Sequence, residues 1–208
     1  MQVKSINKNK FLIFSTIGIL AIGVFLLIDI LIGMSDIGFK DIISAIFDYS
    51  GSKEDLIITT IRLPRELLCI LVGASMAISG LIMQNLTRNP LASSQVLGIN
   101  AGATLSVVIV MVFFPALGYK TKILASFLGA GFVGVTVQTI GRIRNLSPLK
   151  VTLVGISIQL FLSSITKFIM LFNDSKTSDL LFWMIGGVHH AQITHIVELL
   201  PCFIISIL

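Results

Sequence analysis

Charged residues are scarce in this sequence. Only 12% of its 208 residues are Asp, Glu, Lys or Arg, whereas 55% are hydrophobic and the mean hydropathy is +0.99. Soluble domains carry about 25% charged residues. Because so few charges cannot cover a surface that faces water, the composition excludes an ordinary soluble domain and indicates a protein whose solvent is lipid.

Cysteines are few, and the common catalytic motifs are absent. Cys69 and Cys202 lie inside apolar runs, so we interpret them as small core residues and expect neither a disulfide nor a metal site. The chain has no G-x-S-x-G nucleophile motif, no H-E-x-x-H zinc motif and no G-x-x-x-x-G-K-[ST] phosphate loop. We therefore expect no enzyme activity, no cofactor and no ATP chemistry on this chain.

Two features of the polar residues narrow the possible partners. The net charge is +5, but the Lys and Arg residues are spread over short connections, so we expect no nucleic-acid binding. His189, His190 and His195 cluster near the C-terminal end of the sequence. Adjacent histidines rarely share a helix face, so we interpret this cluster as interfacial rather than as a metal site.

Long apolar runs are the main feature that the sequence does have. A spanning helix needs about 20 mostly apolar residues, and in hydrocarbon a lone strand cannot satisfy its backbone. The sequence therefore predicts an all-α, polytopic transmembrane helix bundle with five full helices and the start of a sixth near Ile193. The five complete runs are Phe11–Ile32, Leu67–Leu86, Leu97–Phe114, Ile123–Gly141 and Leu149–Phe172.

The orientation of the bundle is not decided by counting basic residues. With the N-terminus inside, the inner and the outer connections each hold seven Lys or Arg, which is a tie under the positive-inside rule. We nevertheless expect a cytoplasmic N-terminus, because two of the outer arginines have a separate explanation below. The inner residues are Lys4, Lys8, Lys10, Arg88, Arg142, Arg144 and Lys150, and the outer ones are Lys40, Lys53, Arg62, Arg65, Lys120, Lys122 and Lys176.

A proline flanked by arginines precedes the second apolar run. In Arg62-Leu63-Pro64-Arg65, the proline pre-sets the first turn of a helix and places both guanidinium groups at one membrane face. The arginines could anchor the helix by snorkelling, or they could bind carboxylates of a partner, which the planar guanidinium matches well.

Small residues recur at four-residue spacing, as at Gly98 and Gly102 or at Ala130 and Gly134. This spacing predicts close helix packing in lipid. Several of them belong to an ordered series of short motifs that follows the arginine motif. The series consists of Gly73-Ala74, Ser79-Gly80, Met83-Gln84, Arg88-Asn89-Pro90-Leu91-Ala92, Leu97-Gly98 and Gly102-Ala103.

The stretch Arg62–Ala103 resembles the FecCD-type permeases of ABC importers, which bring in iron–siderophore complexes, haem or cobalamin. The motifs agree in order and spacing. Weaker similarity extends to Leu153-Val154-Gly155-Ile156 and to Trp183-Met184-Ile185-Gly186-Gly187. The chain departs from the family at Ser93-Ser94, where an acidic residue and a proline are common, so the connection to the third helix is expected to differ locally.

The resemblance implies a permease that imports an iron(III)-siderophore or a related metal chelate across the bacterial cytoplasmic membrane. It implies an ATP-binding subunit, which uses ATP, a solute-binding protein and a second permease subunit as partners. It also implies ten helices per subunit, so that residues 1–208 form a C-terminally truncated transmembrane permease domain. An intramembrane enzyme and a non-transporting scaffold are the alternatives, but neither explains the motif series.

The resemblance also assigns roles to individual residues. Arg62 and Arg65 become outer-face docking residues for the binding protein, which explains the charge tie. Ser147 and Pro148 lie in the connection where the family has a cytoplasmic gate. Packing and family-motif roles fall to Gly73, Gly80, Gln84, Asn89, Pro90, Gly98 and Gly102.

Overall fold

The computed structural model describes residues 8–32, 38–90, 92–173, 180–181, 184–188 and 191–207. Within these ranges the regular structure is helical, which confirms the predicted all-α bundle. A π-helical turn, Ile58–Arg62, joins two of the helices into one continuous stretch. The helices are α1 (Lys8–Leu31), α2 (Phe39–Phe47), α3 (Lys53–Ile57), α4 (Leu63–Thr87), α5 (Ile99–Phe113), α6 (Tyr119–Ile143), α7 (Pro148–Leu171) and α8 (Ile193–Ile207).

Four helical stretches are long and apolar enough to cross a membrane. They are Lys8–Leu31, Lys53–Thr87, Tyr119–Ile143 and Pro148–Leu171, and each contains or overlaps a predicted spanning run. The remaining predicted span, Leu97–Phe114, was too long: α5 has only 15 residues. At 1.5 Å per residue it measures about 22 Å, against about 30 Å of hydrocarbon. The helix is short because Gly98 adopts a left-handed conformation with φ of 76° before the first turn.

The polar connection predicted between the first two spans contains an additional helix, α2. It is amphipathic: Ile42 and Ala45 are buried, whereas Phe47 on the other side is 84% exposed. Asp41 caps the first turn of α2, because its Oδ2 accepts a hydrogen bond from the backbone N–H of Gly38 at 2.7 Å. The prediction missed this helix because its apolar residues are too few for a spanning run.

The described part of the chain divides into two compact units. The first comprises residues 8–70 and 191–199. In its core, the end of α1 packs against α2 and against the π-turn. The buried residues of this core are Ile30, Ile42, Ala45 and Ile58. Ile58 is fully buried, and Ile30 is the buried residue of α1. The rest of α1 is an apolar surface, as expected of a helix that faces lipid or other helices.

The second unit contains residues 71–188 and 200–207, and α5, α6 and α7 pack together in it. Val107 and Val108 of α5 are fully buried. One cluster of buried residues consists of Val108, Val112, Met170 and Leu180, and another consists of Leu97, Val133 and Val137.

Candidate functional site

The arginine motif begins in the π-turn. The backbone N–H of Leu63 donates to the carbonyl of Ile58, five residues back, instead of to the residue four back. Pro64 follows in the first turn of α4, is buried and has no N–H to donate, so one hydrogen bond of the helical ladder is missing at this point. Single π-turns of this kind are frequent at functional sites. The sequence identified the arginines, but only the structure shows the turn that presents them.

The two arginines of the motif lie in different environments. Arg62 is half-buried, and its Nη1 donates a hydrogen bond to the carbonyl of Ile30 at the end of α1. The last carbonyls of a helix have no partner within it, so this guanidinium caps α1. Arg65 is exposed. Arg62 therefore fixes the turn against α1, whereas the side chain of Arg65 is exposed on the turn.

A buried aspartate anchors the chain ahead of this turn. Asp55 is 1% exposed, and its Oδ2 accepts from the Ser50 hydroxyl at 2.8 Å and from the Ser50 backbone N–H at 2.9 Å. In return, its backbone N–H donates to the hydroxyl of Ser52 at 3.1 Å, which completes a capping box at the start of α3.

Asp55 lies ahead of the hydrocarbon-crossing part of the stretch Lys53–Thr87, because the apolar run Leu67–Leu86 begins about 18 Å further along the helix and is itself long enough to cross the bilayer core. Hydrogen bonds from the hydroxyl and then the N–H of Ser50 hold the pKa of the carboxyl below its ordinary value. The carboxylate therefore remains charged, and its hydrogen bonds stabilise the capped first turn of α3.

The C-terminal end of α4 runs into the motif Arg88-Asn89-Pro90-Leu91-Ala92 and accounts for part of it. Arg88 has a positive φ of 48°, the backbone N–H of Arg88 donates to Asn85 O, and that of Asn89 donates to Gln84 O at 3.2 Å. These two bonds form a Schellman motif, which satisfies the final carbonyls of the helix. Gln84 and Asn89 are thus joined through the backbone, and Pro90 follows where the helix cannot continue.

The segment that departs from the family pattern is an ordered turn. The hydroxyl of Ser93 accepts from the backbone N–H of Val96 at 3.2 Å, and its carbonyl accepts from Leu97 N–H at 3.1 Å. Serine is a strong helix-capping residue. Ser93 therefore stabilises this turn itself, which ends at the left-handed Gly98.

Two predicted packing glycines lie at close contacts between backbones. A Cβ on Gly98 would lie 3.0 Å from the carbonyl oxygen of Gly155 in α7, and one on Gly155 would lie 2.7 Å from Leu97 Cα. A Cβ on Gly102 would lie 2.6 Å from the carbonyl oxygen of Gly129 in α6. Gly98 and Gly102 therefore bring α5 against α7 and α6, as small residues at this spacing do.

Other small residues that the sequence predicted to pack make no such contact in this chain. A Cβ on Gly73 or Gly80 would meet nothing within 4 Å. In α6 the close approach is at Gly129, one position before the predicted pair Ala130 and Gly134, which line a cavity instead. Sequence spacing identified the small residues of α6, but it did not identify the face that packs.

The predicted gate connection is a tight turn between α6 and α7. Asn145 has a positive φ of 46°, and Leu146 N–H donates to Gly141 O at 3.0 Å, so α6 also ends in a Schellman motif. Ser147 is the N-cap residue of α7, and Pro148 is its first residue, where proline is favoured. Both are exposed. A gating role for them stays a prediction.

A cavity of about 1020 Å³ lies between the end of α4, one face of α6 and this turn. Its walls are mainly apolar, and two arginines, Arg88 and Arg142, line it as well. This cavity could not be predicted from the sequence, because it depends on the distance between packed helices.

The cysteines and histidines complete the list of predicted residues. Cys69 is exposed, so its interpretation as a core residue is wrong in this chain, and Cys202 is half-buried. Among the described residues, no three His, Cys, Asp or Glu side chains come close enough to hold a metal ion. His189 and His190 lie outside the described residues.

Comparison with known proteins identifies the family. The model of the FecCD transport family matches residues 19–208. The chain belongs to the FecCD transport family. The match covers the arginine turn, the glycine contacts of α5 and the turn before α7, so the predicted resemblance is confirmed.

Several FecCD proteins of bacteria are similar to the chain. It is 43% identical over 176 residues to the Fe(3+)-citrate import system permease protein YfmD of Bacillus subtilis, covering 85% of this chain and 52% of that protein. It is 39% identical over 173 residues to the iron(3+)-hydroxamate import system permease protein FhuB of the same organism, covering 82% and 44%. The Fe(3+) dicitrate transport system permease protein FecC of Escherichia coli is 32% identical over 167 residues, covering 76% and 49%. The chain thus spans about half the length of these relatives.

A solved structure shares the fold. It is a metal-chelate-type ABC transporter in an inward-facing conformation, with a TM-score of 0.70 and 19% identity, covering 89% of this chain and 55% of that one. This similarity supports the helical permease fold, and the FecCD chain described here is a multi-pass membrane protein.

Proposed function

We propose that the chain is a permease subunit of an ATP-driven importer that takes up an iron(III)-siderophore or a related metal chelate. The observation that carries the proposal is the family match over residues 19–208, together with relatives named for ferric citrate and hydroxamate import. Its partners are an ATP-binding subunit, a solute-binding protein and a second permease subunit. Energy comes from the ATP-binding subunit, since this chain carries no phosphate loop.

The arginine turn is the docking surface for the solute-binding protein in this proposal. Arg65 is exposed and binds carboxylates of that protein, for which the planar guanidinium is suited. Arg62 caps α1 and holds the turn in place, so it acts as a positioning residue. This division of roles refines the sequence prediction, in which both arginines docked.

The orientation follows from the same surface. A solute-binding protein approaches from outside, so the start of α4 faces outward and its end, with Arg88, faces the cytoplasm. In the proposed orientation the N-terminus is cytoplasmic. The turn at Ser147 and Pro148 lies at the cytoplasmic face, where a short turn with a rigid proline suits a gate between two packings of the helices.

The experiment is a charge reversal in the assembled transporter. The permease is co-purified with the candidate ATPase and the candidate solute-binding protein, and ATP hydrolysis is titrated with loaded binding protein. Arg65→Glu replaces attraction with repulsion, and breaking a close interfacial charge pair costs about 2–5 kcal/mol. We therefore expect a loss of at least about tenfold in the apparent affinity for the binding protein.

Lys53→Glu is the matched control. Lys53 is also exposed, lies ahead of the same turn and undergoes the same change of charge. It should leave the titration nearly unchanged. Equal titration curves for Arg65→Glu and the unmodified permease would remove the docking assignment, and failure of the ATPase to co-purify with any form would contradict the importer assignment.

A further inference from the structure

The two arginines of the cavity in the second unit have no carboxylate to pair with. From Leu67 to Asn173 the sequence contains seven Lys or Arg and no Asp or Glu. The remaining described residues of that unit, 180–181, 184–188 and 200–207, contain no acid either. Arg88 and Arg142 both line the cavity, and both are exposed. Within the described residues of this unit, the pair therefore has no carboxylate beside it and is available to an anionic ligand.

The backbone at Arg88 is a second observation at the same place. This residue occupies the left-handed position after α4, with φ of 48°, where glycine is the favoured residue because a side chain is strained there. An arginine at this position places a permanent positive charge at the cavity. Because a side chain is strained there, it also lowers the local stability of the turn. Such backbone outliers are concentrated at binding sites.

The rest of the cavity is shaped for a hydrocarbon chain. Three small residues of one α6 face, Ala130, Gly131 and Gly134, line it and leave its volume open. A Cβ on Gly131 would meet nothing within 4 Å. Met83, Leu86 and Phe127 add apolar walls. The volume of about 1020 Å³ is at the upper end of the usual range for ligand pockets.

The position of the arginines fits a headgroup. Arg88 follows α4 and Arg142 ends α6, and both line the cavity beside the turn before α7. Because successive helices of a membrane bundle alternate in direction, the ends of α4 and α6 belong to the same membrane face, and the groove lined by Ala130, Gly131 and Gly134 lies further back along α6. Basic pockets between transmembrane helices are known to bind the headgroups of anionic lipids.

We propose that this cavity binds one anionic phospholipid, with its phosphate between Arg88 and Arg142 and an acyl chain in the groove beside Gly131. Arginine binds phosphate through two parallel N–H donors, which lysine cannot match. The site does not depend on the transport function, since it uses neither the arginine turn nor a partner subunit.

Native mass spectrometry of the purified chain in detergent tests the site. The 208-residue protein is titrated with phosphatidylglycerol and, separately, with phosphatidylcholine of the same acyl chains. We expect preferential binding of one phosphatidylglycerol. Arg88→Gln with Arg142→Gln should weaken it about 30-fold, and each single substitution about fivefold. Arg144→Gln is the matched control, because Arg144 lies two residues away, is exposed and does not line the cavity.

A second pair of variants tests the groove independently of charge. Gly131→Phe places a ring in the groove from a position where a Cβ meets nothing within 4 Å, and should abolish binding of one phosphatidylglycerol even if the double arginine variant fails to fold. Gly18→Phe is its control, since a Cβ there also meets nothing within 4 Å but lies in α1. It should bind lipid as the unmodified chain does.

Several outcomes would overturn the proposal. Equal affinity for the two lipids would remove the role of the phosphate charge, and equal losses for Arg144→Gln and Arg142→Gln would make the effect non-specific. Displacement of phosphatidylglycerol by inorganic phosphate at low concentration would indicate a free anion site. Unchanged lipid binding by Gly131→Phe would mean that protein, and not an acyl chain, fills the cavity.

Discussion

Replacing Gly102 with alanine should separate α5 from α6. The Cβ of the new residue would lie 2.6 Å from the carbonyl oxygen of Gly129, closer than Cβ atoms in real structures come to other atoms. That oxygen belongs to the backbone of α6 and cannot rotate away. The clash can be relieved only if the two helices move apart, which loosens the packing around Val133.

The magnitude comes from two opposing effects. In an unobstructed helix position, glycine to alanine stabilises by about 1 kcal/mol, whereas overpacking a close contact costs about 1–3 kcal/mol. Gly102→Ala should therefore range from neutral to about 2 kcal/mol less stable than the unmodified chain. Gly131→Ala is the matched control, because Gly131 lies in α6 and a Cβ there meets nothing within 4 Å. The two variants should differ by about 1–3 kcal/mol.

The assay is equilibrium unfolding of each variant in mixed micelles, followed by circular dichroism as the fraction of denaturing detergent is raised. Gly129→Ala provides a second test of the same contact, since its Cβ would clash with the backbone carbonyl oxygen of Gly102 as well as with Ser106. The double variant Gly102→Ala, Gly129→Ala should lose less stability than the sum of the single losses, because one separation of the helices relieves both clashes. Equal stability of Gly102→Ala and Gly131→Ala would refute the reasoning.

Two other changes test the turns at either end of the motif region. Gly98→Ala places a side chain at φ of 76° and 3.0 Å from Gly155 O, and should destabilise by at least about 1 kcal/mol in the same unfolding assay; a stabilised variant would contradict the left-handed turn. The folded pKa of Asp55 lies below its ordinary value, so its charge stabilises the protein above about pH 4, and that stabilisation is lost as the pH falls through the folded pKa. Asp55→Asn should therefore reduce the acid dependence of the unfolding midpoint, whereas Asp48→Asn, at an exposed position, should retain it; equal acid dependence in the two variants would count against the buried cap.

Much of the fold was predictable because hydrocarbon imposes a simple rule on the chain. Apolar runs of spanning length must be helical, so α1, α4, α6 and α7 were located from composition. The family also was identifiable, because its motifs occur in order. The amphipathic helix α2 was missed, since a short helix at an interface needs only one apolar face and no long run.

The site was predictable only in part. Gly98 and Gly102 were identified by spacing, and the structure shows contacts at both. The same reasoning chose Gly134 in α6, where the close contact is at Gly129. A shift of one residue turns a helix position by about 100°, so spacing alone finds small residues without deciding which of them meets a neighbour.

The sequence alone determined which four segments are long and apolar enough to span a membrane and which family the motifs indicate, because these depend on local composition and on neighbouring residues. Only the tertiary structure decided that Arg62 binds α1 while Arg65 is exposed, and that a cavity with Arg88 and Arg142 opens beside α6. These features join residues far apart in the chain. Their geometry depends on the distance and rotation between packed helices, which apolar periodicity in lipid does not specify.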